Sequence, residues 1–126
     1  MNISSEENGI LDAINYYTEG MRTGSVEILK KGFHQQAILC CYLGDEMIAA
    51  PIEGLYDWVN SNPAPAETGE IFGCAILAIE VTGRVAAATV RETSHEGDVI
   101  DYFHLLKDRE RWWIVSKLWD AEPTNR

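Results

Sequence analysis

From residue 71 onward the sequence reads as four extended segments joined by short polar turns, and that pattern leaves few folds open. Residues 71–81 and 85–93 meet at Thr82-Gly83. Residues 99–107 follow a Glu96-Gly97 turn, and residues 112–119 follow the link Asp108-Arg109-Glu110-Arg111. Consecutive strands with short polar connections form an antiparallel meander. A meander needs something to cover at least one face, and the first half of the chain supplies it.

Ser4 followed by Glu7 predicts a capping box. Beyond it Ile10, Ala13, Ile14, Tyr17 and Met21 recur at helical spacing, with Glu6, Asp12 and Glu19 off that stripe. The pattern predicts an amphipathic helix over residues 5–21. Gly24 ends it, Ser25 caps a second helix to about residue 31, and Phe33-His34 leads into a strand over residues 38–43. Pro51 suits the first turn of a third helix whose apolar face is Ile52, Leu55, Tyr56 and Val59. Asn62-Pro63-Ala64-Pro65 stops that helix. Three helices followed by a meander imply an α+β fold. At 126 residues, without repeats or a linker, residues 1–126 are expected to form a single domain.

Charge and cysteine usage exclude several function classes. Acidic residues outnumber basic ones 20 to 10, for a net charge of -10, and the basic residues form no stripe. Neither nucleic acid nor an anionic membrane is an expected partner. Of the three cysteines, Cys40 and Cys41 are adjacent and Cys74 stands alone, which is no disulfide framework. No CxxC or HExxH spacing calls for a metal, and no motif calls for a cofactor. Residues 1–9 lack the basic and apolar regions of a secretion signal, and no apolar run nears the roughly 18 residues of a membrane helix. The expected compartment is cytoplasmic.

If the link after Asp108 is tight, Asp101 lies opposite Leu118, Phe103 opposite Ser116 and Leu105 opposite Ile114. The other face then carries Ile100, Tyr102, His104 and Leu106 with Trp113, Val115 and Trp119. Both faces are largely apolar, and helices can cover only one. The uncovered face is expected to form a homodimer through Tyr102, His104, Trp113 and Trp119.

The end of the chain carries a family resemblance. Asp101-Tyr102-Phe103-His104-Leu105-Leu106-Lys107 and Trp112-Trp113-Ile114-Val115-Ser116-Lys117 are similar to the "DY-x-x-LLK … W-x-IV-x-K" ending of lumazine-binding proteins. These are a branch of the nuclear transport factor 2-like, or SnoaL-like, superfamily. Gly32-Phe33-His34 followed by Ala37 resembles that branch's "FHPDA", with Gln35-Gln36 in place of Pro-Asp. The resemblance implies a cystatin-like cone: three N-terminal helices packed on a curved, mixed, mostly antiparallel sheet, with a pocket between.

Ketosteroid isomerases share that superfamily, and the comparison suggests a site. It places Tyr17 where they carry a tyrosine on the first helix. Asp101, in Ile100-Asp101-Tyr102-Phe103, takes the place of their protonated acid. Their base carboxylate falls on Cys41, a thiol that is mostly neutral in apolar surroundings. The resemblance therefore implies that the oxygen-binding half of such a site survives and the proton-moving half is missing.

Each candidate also has a structural reading. Asp101 either orients a ligand or is an acid bonded to a helix terminus or a basic side chain. Tyr17 is a ligand contact or a core tyrosine. Cys41 reads first as a small buried hydrophobe. His34 caps helix carbonyls or serves a pocket as acid or base. Trp58, beside the apolar stripe of the third helix, could roof the pocket. Phe103 and Ser116 share the face assigned to Asp101 and complete the set of candidate ligand contacts. Three functions stay open: a small-molecule binding protein with an apolar ligand, an isomerase- or dehydratase-like enzyme on a cyclic carbonyl or enolisable molecule, and a ligand-free dimeric interaction module.

Overall fold

The structure is a computed structural model that describes residues 4–123. Helix α1 (Ser5–Thr23) starts where Ser4 accepts a hydrogen bond from the Glu7 backbone, and it ends at Gly24, whose φ of 72° closes the last turn. Helix α2 (Val26–Gly32) is capped by Ser25. Strand β1 (Phe33–Leu43) follows without a loop, five residues earlier than the apolar pattern predicts. A turn at Gly44 leads into β2 (Glu46–Pro51), a short edge strand that the sequence reading missed. Pro51 closes β2 instead of opening a helix; the end of an edge strand tolerates its missing N–H. Helix α3 (Glu53–Ser61) and the one-turn helix α4 (Pro65–Thr68) complete the first half.

The meander is β3 (Phe72–Thr82), β4 (Val85–Ser94), β5 (Gly97–Asp108) and β6 (Arg111–Ala121). The six strands of the described residues lie in the order β2-β1-β6-β5-β4-β3, and among them only β1 and β6 run parallel. Ile10, Ile14, Tyr17 and Leu29 from α1 and α2 bury themselves against Val90, Phe103, Leu105 and Ile114 of the concave face. Tyr17 is seven residues after Ile10 on the same helical stripe, which delivers its ring to the sheet.

The β5–β6 turn is tight: Arg109 and Glu110 both have positive φ, and Asp108 pairs with Arg111. Leu105 pairs with Ile114 as the sequence predicts. The register then slips by one residue between His104 and Leu105, and Val115 is the extra residue of a bulge. Asp101 consequently pairs with Trp119, and Phe103 pairs with Lys117. This corrects the expected opposition of Asp101 with Leu118 and of Phe103 with Ser116. Because neighbours across a ladder share a face, the slip turns Lys117 and Trp119 inward and Ser116 outward. Trp119 therefore leaves the set expected on the outer face.

Candidate functional site

Lys117 is the centre of the site, and the bulge puts it there. Its side chain is 4% exposed and its Nζ stands 3.0 Å from Oδ1 of Asp101, which is fully buried. The approach is out of line for a hydrogen bond, so the two form an ion pair, and Glu92 is the carboxyl's other polar neighbour. Trp119, half-buried, lays its ring 3.5 Å from Nζ, and the Tyr17 ring lies 5.4 Å away.

A second carboxylate reaches the same place from β4. There Ala86, Ala88, Val90 and Glu92 share the inner face, with Val90 opposite Asp101. Glu92 is thus the diagonal neighbour of Asp101, and it accepts a short hydrogen bond from the Tyr17 hydroxyl. Tyr17 itself is fully buried between Phe33 and Phe103, with ring centroids 5.9 and 5.1 Å distant. The four polar groups form a chain, Tyr17–Glu92–Asp101–Lys117, across the concave face.

Their electrostatics are unequal. Burial pushes the Asp101 carboxyl up to about 7, opposed by the Lys117 charge and reinforced by Glu92. The Tyr17 hydroxyl is raised well above its ordinary value by burial and then by the Glu92 charge. Burial likewise lifts the Cys74 thiol to about 12; Cys74 pairs with Glu92 on β3. Two carboxyls and one ammonium carry an excess negative charge when all are ionised. A proton on Asp101, whose carboxyl burial raises to about 7, removes it. The arrangement can therefore store one proton beside a cation in a low-dielectric setting.

The sequence-derived candidates separate. Tyr17, Asp101 and Phe103 come together. Cys41 is buried beside them, opposite Trp119 across β1–β6, where burial raises its thiol and the Lys117 charge opposes the rise. Ser116 points the other way and bonds His104 Nδ1 at 2.9 Å. Trp58 is 56% exposed on α3. His34 accepts from the Gln36 backbone and meets the edge of Trp113. It lines a separate cavity of about 740 Å³ with Lys30, Tyr56, Arg109 and Arg111. That cavity lies at the β5–β6 turn, where Asp108 lines it; Asp101 is seven residues back along β5, or ~23 Å at strand rise.

Two members, Glu92 and Lys117, were missed. Glu92 had a readable signal: an acid in step with Ala86, Ala88 and Val90 on an otherwise apolar face. Lys117 stands at the end of the quoted motif, but its inward direction depends on the bulge.

A family model described as "Putative lumazine-binding" matches residues 5–120. The chain belongs to this family. Among curated relatives it is similar to "Aldolase FrzH" from Cladobotryum sp, at 26% identity over 120 residues, covering 95% of this chain and 94% of that one. Among solved structures it is similar to a nuclear transport factor 2-like protein of Shewanella baltica. That pair has a TM-score of 0.83 and 27% identity, over 98% of this chain and 100% of the other. A counterpart from Methylobacillus flagellatus gives a TM-score of 0.83 and 30% identity, over 97% of each chain. The fold is therefore the nuclear transport factor 2-like α+β cone.

Proposed function

We propose that the concave face binds a small carbonyl-bearing or enolisable molecule and moves a proton on it, with Asp101 and Lys117 receiving the carbonyl oxygen. The observation that carries this reading is Asp101: a fully buried carboxyl 3.0 Å from a buried ammonium, on a face otherwise apolar and aromatic. Buried charges cost free energy that packing alone does not return. A substrate oxygen would supply a further partner to both. Cys41 cannot stand in for a base, but burial raises the Asp101 carboxyl to about 7, so the proton-moving half need not come from β1. The relative called an aldolase supports carbonyl chemistry over simple storage of a ligand.

Asp101 and Tyr17 are closed off from solvent, and a closed interior is what a ligand-free interaction module requires. Two carboxyls, an ammonium and a phenol are poor material for a purely structural core, however, because each must be desolvated to fold. Saturation-transfer NMR with cyclohexanone, benzaldehyde and a cyclic 1,3-diketone tests the reading. Binding that survives Asp101→Asn but fails in Asp101→Leu identifies a required donor. Failure in both identifies a required carboxylate. Equal binding by wild type, Asp101→Leu and Tyr17→Phe would make these structural groups.

The outer sheet face supports a homodimer. Ile38, Tyr102, Leu106 and Leu118 are each between 44% and 50% exposed on it. Tyr102 and Leu118 are direct cross-strand neighbours. With Trp119 turned inward, the proposed contact set is Tyr102, His104, Trp113 and Leu118.

A further inference from the structure

We infer that Lys117 is a covalent site whose ε-amine takes the carbonyl carbon of an aldehyde or ketone as an imine, with Asp101 relaying the protons. This rests on the carbonyl-binding reading above and adds to it a bond and a nucleophile.

Three observations point to Lys117. The chain has four lysines. Lys30 and Lys31 are exposed, Lys107 is paired with Glu6 at 2.6 Å, and only Lys117 is buried. Its Nζ stands 3.0 Å from the fully buried Asp101 carboxyl, within proton-transfer distance. The surrounding wall is aromatic and conserves the cation: an iminium carries the same positive charge as the ammonium it replaces. The Trp119 ring and Asp101 that hold one can hold the other.

The step balances. The Lys117 ammonium gives a proton to the Asp101 carboxylate, and the free amine attacks the carbonyl carbon, forming the C–N bond. Asp101 returns the proton to the carbonyl oxygen and takes one from the nitrogen, leaving a neutral carbinolamine. It then protonates the departing hydroxyl. The C–O bond breaks, the nitrogen lone pair forms C=N, and water leaves. The products are an iminium and an Asp101 carboxylate, with charge conserved and no oxidant or reductant consumed. The carboxylate is then placed to remove a proton from the carbon next to the iminium, which is how such an adduct becomes a carbon nucleophile.

The test is reductive trapping of the full chain. Cyclohexanone or benzaldehyde is added with sodium cyanoborohydride, and the site of the secondary amine is read by intact mass and peptide mapping. Saturation-transfer NMR without reductant is run on the same samples. The expected result is one tag per chain on Lys117, formed before any on Lys30 or Lys31. The tag should be lost in Lys117→Arg, which keeps the positive charge beside Asp101. Asp101→Asn retains the amine and should slow the tagging while NMR still detects binding. Circular dichroism checks that both variants fold, and wild-type mapping decides the site even where a variant does not. Binding with no tag on Lys117, or tags confined to exposed lysines, overturns the imine and leaves the proposed function standing. Neither binding nor a Lys117 tag with either carbonyl overturns both.

Discussion

Lys117 and Asp101 form a buried pair 3.0 Å apart that lacks hydrogen-bond alignment, and the burial of Asp101, against the Lys117 charge, makes stability depend on pH in an uncommon direction. Asp101 holds its proton up to about 7 in the folded chain, against an ordinary value of 3.8. Between those values the folded state binds more protons than the unfolded one, so stability falls as pH rises from about 4 to about 7. The size of the fall is on the order of a few kcal/mol. Urea denaturation at pH 5, 6, 7 and 8 should give a slope that Asp101→Asn flattens. An unchanged slope in the variant would assign the titration to other groups.

Lys117→Met should be costly in a pH-dependent way. At pH 8 it strands a buried carboxyl without its cation, and breaking such a pair costs about 3–5 kcal/mol. At pH 5 Asp101 is protonated and the lost ammonium was itself a buried charge, so the penalty shrinks. Thermal or urea unfolding at the two pH values checks the difference. Equal penalties would mean that Lys117 acts through packing of its methylenes alone.

The Tyr17–Glu92 contact separates electrostatics from packing. Tyr17→Phe keeps the ring between Phe33 and Phe103 and leaves Glu92 without its donor. It should cost about 1–3 kcal/mol of stability. Glu92→Gln still accepts from Tyr17 and removes the neighbouring negative charge that raises Asp101. That variant should lower the Asp101 midpoint, visible by 13C NMR of the carboxyl. No movement of the midpoint would show that Glu92 is not coupled to Asp101.

Most of the architecture was legible because the signals were local. Ser4, Gly24 and Ser25 mark helix ends through their own caps, and the meander announces itself through alternation and turns. Strand β2 was hidden because it is six residues long, sits at the sheet edge and buries none of its side chains fully. The site was half legible. Tyr17 follows from the helical stripe, and Asp101 from the motif. Lys117 and Trp119 did not follow, because one extra residue at Val115 inverts every side chain beyond it. A bulge is decided by the fit of the whole sheet to the helices, and no short sequence pattern around Ile114-Val115-Ser116 specifies it.

The β5–β6 turn offers a change of opposite sign. Arg109 and Glu110 adopt φ of 52° and 65°, a region that costs non-glycine residues about 1–2 kcal/mol. Glu110→Gly should recover about 1 kcal/mol of this. The lost ion pair with Lys107 is 3.8 Å long and highly exposed on the Glu110 side, so it offsets little. A rise in unfolding midpoint with an unchanged denaturant slope is the expected result; a fall would indicate that the turn relies on the Glu110 side chain.

The outer sheet face gives the remaining prediction. Tyr102 and Leu118 are direct partners across β5–β6, Leu118 pairs with Cys40 across β6–β1, and Ile38 pairs with Ser116. These positions join three strands into one apolar surface, and the described helices pack on the opposite side. Surfaces of this kind are covered in solution by another copy or a partner. Sedimentation at micromolar concentration should give about twice the 14.1 kDa chain mass. Tyr102→Glu with Leu118→Glu should return the chain to a monomer, since each copy would then bury two unpaired carboxylates at the centre of the contact. The concave site is on the other side of the sheet, so cyclohexanone binding should survive in that monomer if the cone folds alone. A wild-type monomer with these side chains in water would remove the outer face from the account and leave the Asp101–Lys117 site untouched.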